Sequence, residues 1–169
     1  LVTEERPIAG LAGQRVRAGL RLTGENGGLL HESAGEALFA GDGVSGIAAM
    51  QLARFVEPGC TLHMDLREAL LGAEEAHRDA FAWLAERREA RAKVPLCALL
   101  TGAASAALSQ ALLRAAKIND LSRPAASLAD EEAVRLARAI ADFSLRVLET
   151  RGFEAAQVTA FGLLKTGEP

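Results

Sequence analysis

Aromatic side chains are scarce in this chain of 169 residues: they make up 4% of it, with no tyrosine and a single tryptophan, Trp83. The core must therefore be built from alanine, leucine, valine and isoleucine, which suits closely packed helices with small residues at their contacts. Recognition of a ligand by aromatic stacking has few candidate side chains.

Cysteine and histidine are also few. Cys60 and Cys97 form neither a CxxC pair nor a cluster with histidine, so neither a zinc site nor a disulfide framework is indicated. We expect both to be core thiols in a reducing compartment. His31, His63 and His77 fall on different predicted elements with no carboxylate at metal-ligand spacing, and we expect exposed residues rather than ligands or bases.

Long apolar runs and an excess of basic residues are both missing. Charges or glycines break every apolar stretch before the roughly 20 residues that cross a bilayer. The net charge is -3, which argues against a nucleic-acid surface. Residues 1–10 contain acids and a proline where a secretory signal would be apolar. We therefore expect a folded cytoplasmic protein that binds neither membranes nor nucleic acid.

Alternating apolar and polar residues predict strands in the first part of the chain. Residues 14–23 have this pattern, and the Asn26-Gly27 pair that follows is a strong hairpin signal. A return strand is predicted at 29–31, and a further short strand at 35–40.

A helix is predicted next, at 47–55, with Ser45 as its N-cap. It is followed at 60–67 by another alternating segment, which we interpret as a half-exposed strand.

The middle of the chain is rich in alanine and charge. Apolar residues recur three and four positions apart at 73–84, at 104–115 and from about residue 128, which predicts three amphipathic helices. Ser127 is the expected N-cap of the third, whose first turn is acidic and suits the positive end of a helix dipole.

Alternation returns after residue 142, at 143–147 and at 156–160. The order of strands, helices and strands predicts an α+β fold, in which a β lobe, a barrel or a sandwich, is interrupted by a helical lobe. The predicted division gives residues 1–67 and 143–164 to the β lobe and residues 68–142 to the helical lobe.

A glycine-rich series, Gly41-Asp42-Gly43-Val44-Ser45-Gly46, matches G-x-G-x-x-G between a predicted strand and a predicted helix. Considered alone it indicates a dinucleotide site, with Asp65 at the spacing of a ribose-binding acid. The alternative is a tight turn that needs glycine for positive φ or for close backbone approach. The polar face of the strand at 60–67 favours the turn, because the strands of a doubly wound parallel sheet are apolar on both faces. Ser45 lacks the last glycine of a nucleophile elbow, and we assign no catalytic residue.

Residues 35–52 resemble a motif of a bacterial flavoprotein family that includes aminoacetone oxidases and bile-acid dehydro-steroid reductases. The matching positions are Glu36, Phe39, Gly43, Ser45 and Gly46, while Ala40 and Ile47 replace a threonine and a proline. The strands at 61–66 and 156–160 also resemble family strands, although Phe161 stands where the family has glycine.

In that family the resembling region is an insertion: a small antiparallel β-barrel lobe, similar to those of translation factors, interrupted by an inserted helical bundle lobe. The resemblance implies that this chain is the insert, or cap, domain of a FAD-dependent, NAD(P)/FAD-utilising oxidoreductase. It would cover the flavin and shape the site of a small-molecule substrate, without being catalytic alone. Its partner would be the flavin-binding domain of the same parent chain, which would hold the FAD, and no cofactor would bind to this segment.

The resemblance directs attention to the backbone amides around Gly43, Ser45 and Gly46 as candidates for substrate or flavin contact. Two alternatives stay open. One is a stand-alone nicotinamide-dinucleotide-binding domain that uses Gly41 to Gly46, and the other is a noncatalytic interaction module.

Overall fold

The structure, a computed structural model, describes residues 1–150. Its strands are β1 (Val2–Thr3), β2 (Arg15–Thr23), β3 (Leu29–Ala40), β4 (Gly43–Ser45), β5 (Thr61–Asp65) and β6 (Phe143–Glu149). Its α-helices are α1 (Glu5–Ile8), α2 (Ile47–Ala53), α3 (Arg67–Leu71), α4 (Ala80–Ala90), α5 (Ala106–Ala115) and α6 (Asp130–Ala141). Short 3-10 helices lie at Leu96–Ala98 and Ala125–Ser127.

The strands form a closed barrel in the order β1-β4-β3-β2-β5-β6, in which β6 also pairs with β1. Every pairing of these strands is antiparallel. Along β2, β5 and β6 alternate residues are buried, because successive side chains of a strand point to opposite faces of the sheet. The predicted α+β fold with a small antiparallel barrel is confirmed, and the sandwich alternative is not formed.

Strand β3 differs from the prediction of two short strands at 29–31 and 35–40. It is one strand of 12 residues, and Gly35 lies within it at a φ of 144°. The reason is pairing: Arg21 faces Glu32 and Ala18 faces Gly35, so β2 supplies a continuous partner across the polar stretch. Cross-strand pairing therefore outweighs the weak local preference of these residues for a strand.

Helix α2 packs on the barrel next to β3. Its residues Ala48, Ala49 and Leu52 are buried, and the Ser33 hydroxyl donates to the Ala48 carbonyl at 2.7 Å.

The predicted helix at 73–84 is wrong in its first half. Helix α3 ends at Leu71, followed by Gly72 at a φ of 90°, and α4 begins only at Ala80. Asp79 caps α4 by accepting from the Ala82 amide at 3.2 Å. The intervening residues form turns, because the glycine and this cap fix the two helix ends.

Helix α6 has the predicted buried stripe, which includes Leu136 and Ile140. Its N-cap is Ala129 rather than Ser127, which belongs to the preceding 3-10 helix and donates its hydroxyl to the Pro124 carbonyl at 2.7 Å. The Glu132 carboxylate instead accepts from the Ala129 amide at 3.0 Å.

The buried side chains of the barrel and of the helices belong to one hydrophobic cluster. The division into lobes at residues 67 and 143 stays a prediction, and the strand predicted at 156–160 lies outside the described residues. Cys60 is buried as expected. Cys97 is exposed, so its predicted core position was wrong.

None of the helices in residues 1–150 is long and apolar enough to span a membrane.

Candidate functional site

The candidate residues Gly43, Ser45 and Gly46 lie on β4 and at its end. Here the glycine-rich series forms a turn and then a strand that pairs with β1 and β3. A dinucleotide fingerprint needs a loop between a parallel strand and a helix, and none of the strand pairs within residues 1–150 is parallel. The geometry therefore favours the structural interpretation of these glycines.

Gly43 allows β1 to approach β4 closely. A Cβ atom at this position would lie 2.0 Å from the Leu1 carbonyl oxygen and 3.0 Å from the Cα of Val2. On the same edge, the Val44 amide donates to the Leu1 carbonyl at 2.9 Å, and the Leu1 nitrogen donates to the Val44 carbonyl at 2.8 Å. The space beside Gly43 is thus filled by the backbone of β1, so no cofactor can approach the backbone on this side of Gly43.

Gly46 has a φ of 94°, and a Cβ there would lie 2.7 Å from the Glu36 carbonyl oxygen. Both features require glycine for reasons of backbone packing. Gly46 is also the N-cap of α2, and no side chain caps this helix. The prediction that Ser45 is the N-cap was therefore wrong: Ser45 is the last residue of β4 and pairs with Leu38 on β3.

An exposed apolar pair begins directly after Gly46. Ile47 is 72% exposed and Met50 is 40% exposed, and residues three apart lie on the same face of a helix. The opposite face of α2 is buried on the barrel through Ala49 and Leu52. This pair, which we call the α2 face, therefore points away from the core at the end of β4, next to the half-exposed Ser45.

Sequence reasoning missed a polar network around His63. The imidazole Nδ1 lies 2.7 Å from Asp142 Oδ1 and 3.2 Å from Ser144 Oγ, and its Nε2 lies 3.0 Å from Thr23 Oγ1. If Nδ1 carries the proton and donates to the carboxylate, Nε2 is unprotonated and accepts a hydrogen bond from the threonine hydroxyl. The side chain of His63 is 21% exposed, so the prediction of an exposed residue was wrong.

The network joins β2, β5 and the junction between α6 and β6. Its members are far apart in sequence, and only the register that places His63 opposite Arg21 and Ser144 could have revealed them. The other histidines behave differently: the ring of His31 stacks on that of Phe55, with centroids 4.0 Å apart, and His77 is exposed.

Asp65, the candidate ribose-binding acid, forms an ion pair with Arg67. Its carboxylate accepts from the Arg67 amide at 3.0 Å and from the Arg67 guanidinium at 2.6 Å. The side-chain hydrogen bond to Asp65 raises the pKa of Arg67. Across residues 1–150, no group of three or more histidine, cysteine, aspartate or glutamate side chains could hold a metal ion.

The fold and site together define a small antiparallel barrel domain that carries helices between its fifth and sixth strands and whose Gly43 and Gly46 are closed in by backbone. A family model described as HI0933-like protein barrel and H2TH domain matches residues 1–158. The chain belongs to this family, which is part of the FAD-dependent flavoproteins. No curated protein matches the chain. The resemblance to a flavoprotein family is confirmed, whereas the likeness to aminoacetone oxidases and bile-acid reductases in particular stays a prediction.

Proposed function

We propose that this chain is the insert, or cap, domain of a FAD-dependent oxidoreductase. In that role it covers the flavin, shapes the site of a small-molecule substrate, and has no catalytic activity alone. The flavin-binding domain of the parent chain holds the FAD, which supplies the redox chemistry when bound. The cap excludes water from the reacting atoms and orients the substrate.

The observation that carries the proposal is the match to a flavoprotein domain family, and the pairing of β1 with β6 agrees with it. β1 and β6 are neighbours, and Val2 lies opposite Glu149. Two strands that run side by side can connect to a single loop of a host domain without straining either one, because inserted domains are tolerated where the two connections lie close together. Membership of a flavoprotein domain family supports a flavin-binding domain as the host.

The α2 face gives this cap a surface for its host. Ile47 and Met50 are large, apolar and exposed, and they lie beside β4, which pairs with β1. The connection through β1 and the exposed apolar pair are therefore close to each other. Burial of the Ile47 side chain against a host would contribute roughly 1.5–3 kcal/mol.

The packing around Gly43 and Gly46 agrees with a cap that does not hold the flavin itself. Leu1 fills the space at Gly43, and Glu36 fills the space at Gly46. The half-exposed Ser45 and the α2 face are parts of this edge that remain open to a host or a substrate.

The test is the substitution Ile47→Glu in the full-length flavoprotein. We expect the cap to pack less closely on the flavin-binding domain, which exposes the flavin to solvent. Iodide should then quench the fluorescence of the bound flavin more strongly than in the unsubstituted protein. The matched control is Val134→Glu, because Val134 is an exposed apolar residue on a different helix, at 46% exposure. Unchanged quenching with Ile47→Glu would contradict the proposal, as would an equal increase with both substitutions.

A further inference from the structure

A cleft of about 560 Å³ opens between α1, α5, α6 and the start of β6. Its floor is apolar and includes Ala111, Ala139 and Phe143. A volume of this size, with a mainly apolar floor and a few polar groups at its rim, is typical of small-molecule sites.

Four cationic side chains line this cleft: Arg114, Lys117, Arg135 and Arg138. None of the four belongs to an ion pair among the side chains that the structure describes. Arg114 and Arg135 donate instead to backbone carbonyls, those of Ala9 at 2.9 Å and Ala116 at 2.8 Å. A carbonyl orients a guanidinium but does not cancel its charge.

Two acids, Glu4 and Asp142, are also among the described lining residues, so that four positive charges minus two negative charges leave an excess of two among the described side chains. Asp142 is already occupied, because it lies 2.7 Å from the imidazole of His63 and 3.8 Å from the guanidinium of Arg21. Its charge therefore opposes a bound anion less than that of a free carboxylate would.

Lys117 has an unusual backbone position. It follows the last turn of α5, where its amide donates to the Arg114 carbonyl at 2.9 Å and the Ile118 amide donates to the Leu113 carbonyl at 3.0 Å. These two bonds define a Schellman motif, whose left-handed residue is usually glycine. Lys117 holds that conformation with a φ of 57°, alone among the non-glycine residues of the described chain. This C-terminal turn of α5 places Lys117 among the residues that line the cleft.

We propose that this cleft binds a small organic phosphate monoester. The ester carries a charge of about −1.5 to −2 at neutral pH, which is opposite in sign and similar in size to the excess of positive charge among the described lining residues. Its phosphate oxygens accept from Lys117 and Arg138, whose side chains make no hydrogen bond to another described side chain or backbone group, and its organic part covers the apolar floor. This inference is independent of the cap proposal, because the cleft lies between α1, α5, α6 and the start of β6 and includes no residue of β4 or α2.

The test is a calorimetric titration of the 169-residue chain with phenyl phosphate, with inorganic phosphate and phenol as reference probes. We expect saturable binding of phenyl phosphate, weaker binding of inorganic phosphate and none of phenol. Lys117→Gly and Arg138→Gln should each weaken phenyl phosphate binding by roughly fivefold, as expected for the loss of one rim charge. Lys93→Gln is the control, because it removes an exposed charge from elsewhere on the chain and should leave the affinity unchanged.

Lys117→Gly also separates binding from folding. Glycine is the preferred residue at this position, so the variant should unfold at a Tm higher by about 3 °C while it binds more weakly. A merely structural lysine would change the Tm alone. The proposal is overturned if phenyl phosphate shows no saturable binding, if both cleft variants bind as the unsubstituted chain does, or if a single-stranded oligonucleotide binds and phenyl phosphate does not.

Discussion

The substitution Gly43→Ala tests whether this glycine serves the barrel. The new Cβ would lie 2.0 Å from the Leu1 carbonyl oxygen. The nearest atoms belong to the backbone of Leu1 and Val2, so the clash cannot be relieved by rotation of a side chain. We expect β1 to separate from β4. Three hydrogen bonds depend on this approach: Leu1 nitrogen to Val44 oxygen, Val44 nitrogen to Leu1 oxygen, and Thr3 nitrogen to Asp42 oxygen. At about 1 kcal/mol each, their loss lowers the free energy of unfolding by about 3 kcal/mol.

The assay is urea unfolding followed by circular dichroism and by the fluorescence of Trp83, the only tryptophan of the chain. Gly41→Ala is the matched control in the same turn, because a Cβ there meets nothing within 4 Å. It should change the free energy of unfolding by no more than about 0.5 kcal/mol. If Gly43→Ala unfolds at the same urea concentration as Gly41→Ala, the close-approach explanation is wrong.

Two further predictions concern polar contacts. The hydrogen bond from Arg123 lowers the pKa of the Glu132 carboxyl below its ordinary value of 4.5. This pair therefore stabilises the fold fully above that value and less as the pH falls through the lowered pKa. The difference in urea midpoint between the unsubstituted chain and Glu132→Gln should accordingly be larger at pH 7 than at pH 3, and equal differences would contradict the assignment. His63→Phe removes the imidazole that contacts Thr23, Asp142 and Ser144, and should cost about 1–2 kcal/mol in urea unfolding. His77→Phe, at an exposed position, should cost no more than about 0.5 kcal/mol. Equal costs would show that the network around His63 does not stabilise the fold.

Much of the barrel could be predicted because its longer strands have one buried face. β2, β5 and β6 alternate in sequence, and α6 shows its buried stripe. β1 and β4 have only two and three residues, too few for a period to show. β4 exists because it is paired on both sides, and within a glycine-rich series this pairing cannot be distinguished from a loop without the neighbouring strands.

The candidate site was predictable only in part. Gly43, Ser45 and Gly46 are close in sequence, so they could be predicted to lie close together without knowledge of the fold. Their contact with substrate or flavin stays a prediction. The network around His63 depends on the register of strands that are distant in sequence. The conformation of Lys117 depends on where α5 ends, which a helical periodicity fixes only to within a few residues.

The cap proposal requires that this chain hold no cofactor by itself, and an equilibrium titration of the 169-residue chain with FAD, and separately with NADH, tests this most directly. Flavin and nicotinamide fluorescence report binding of either cofactor. A cap that depends on its host for FAD should leave both signals without a saturable change. Stoichiometric, saturable binding of either cofactor would contradict the cap assignment, and binding of NADH that Gly43→Ala abolishes without unfolding the chain would restore the dinucleotide alternative.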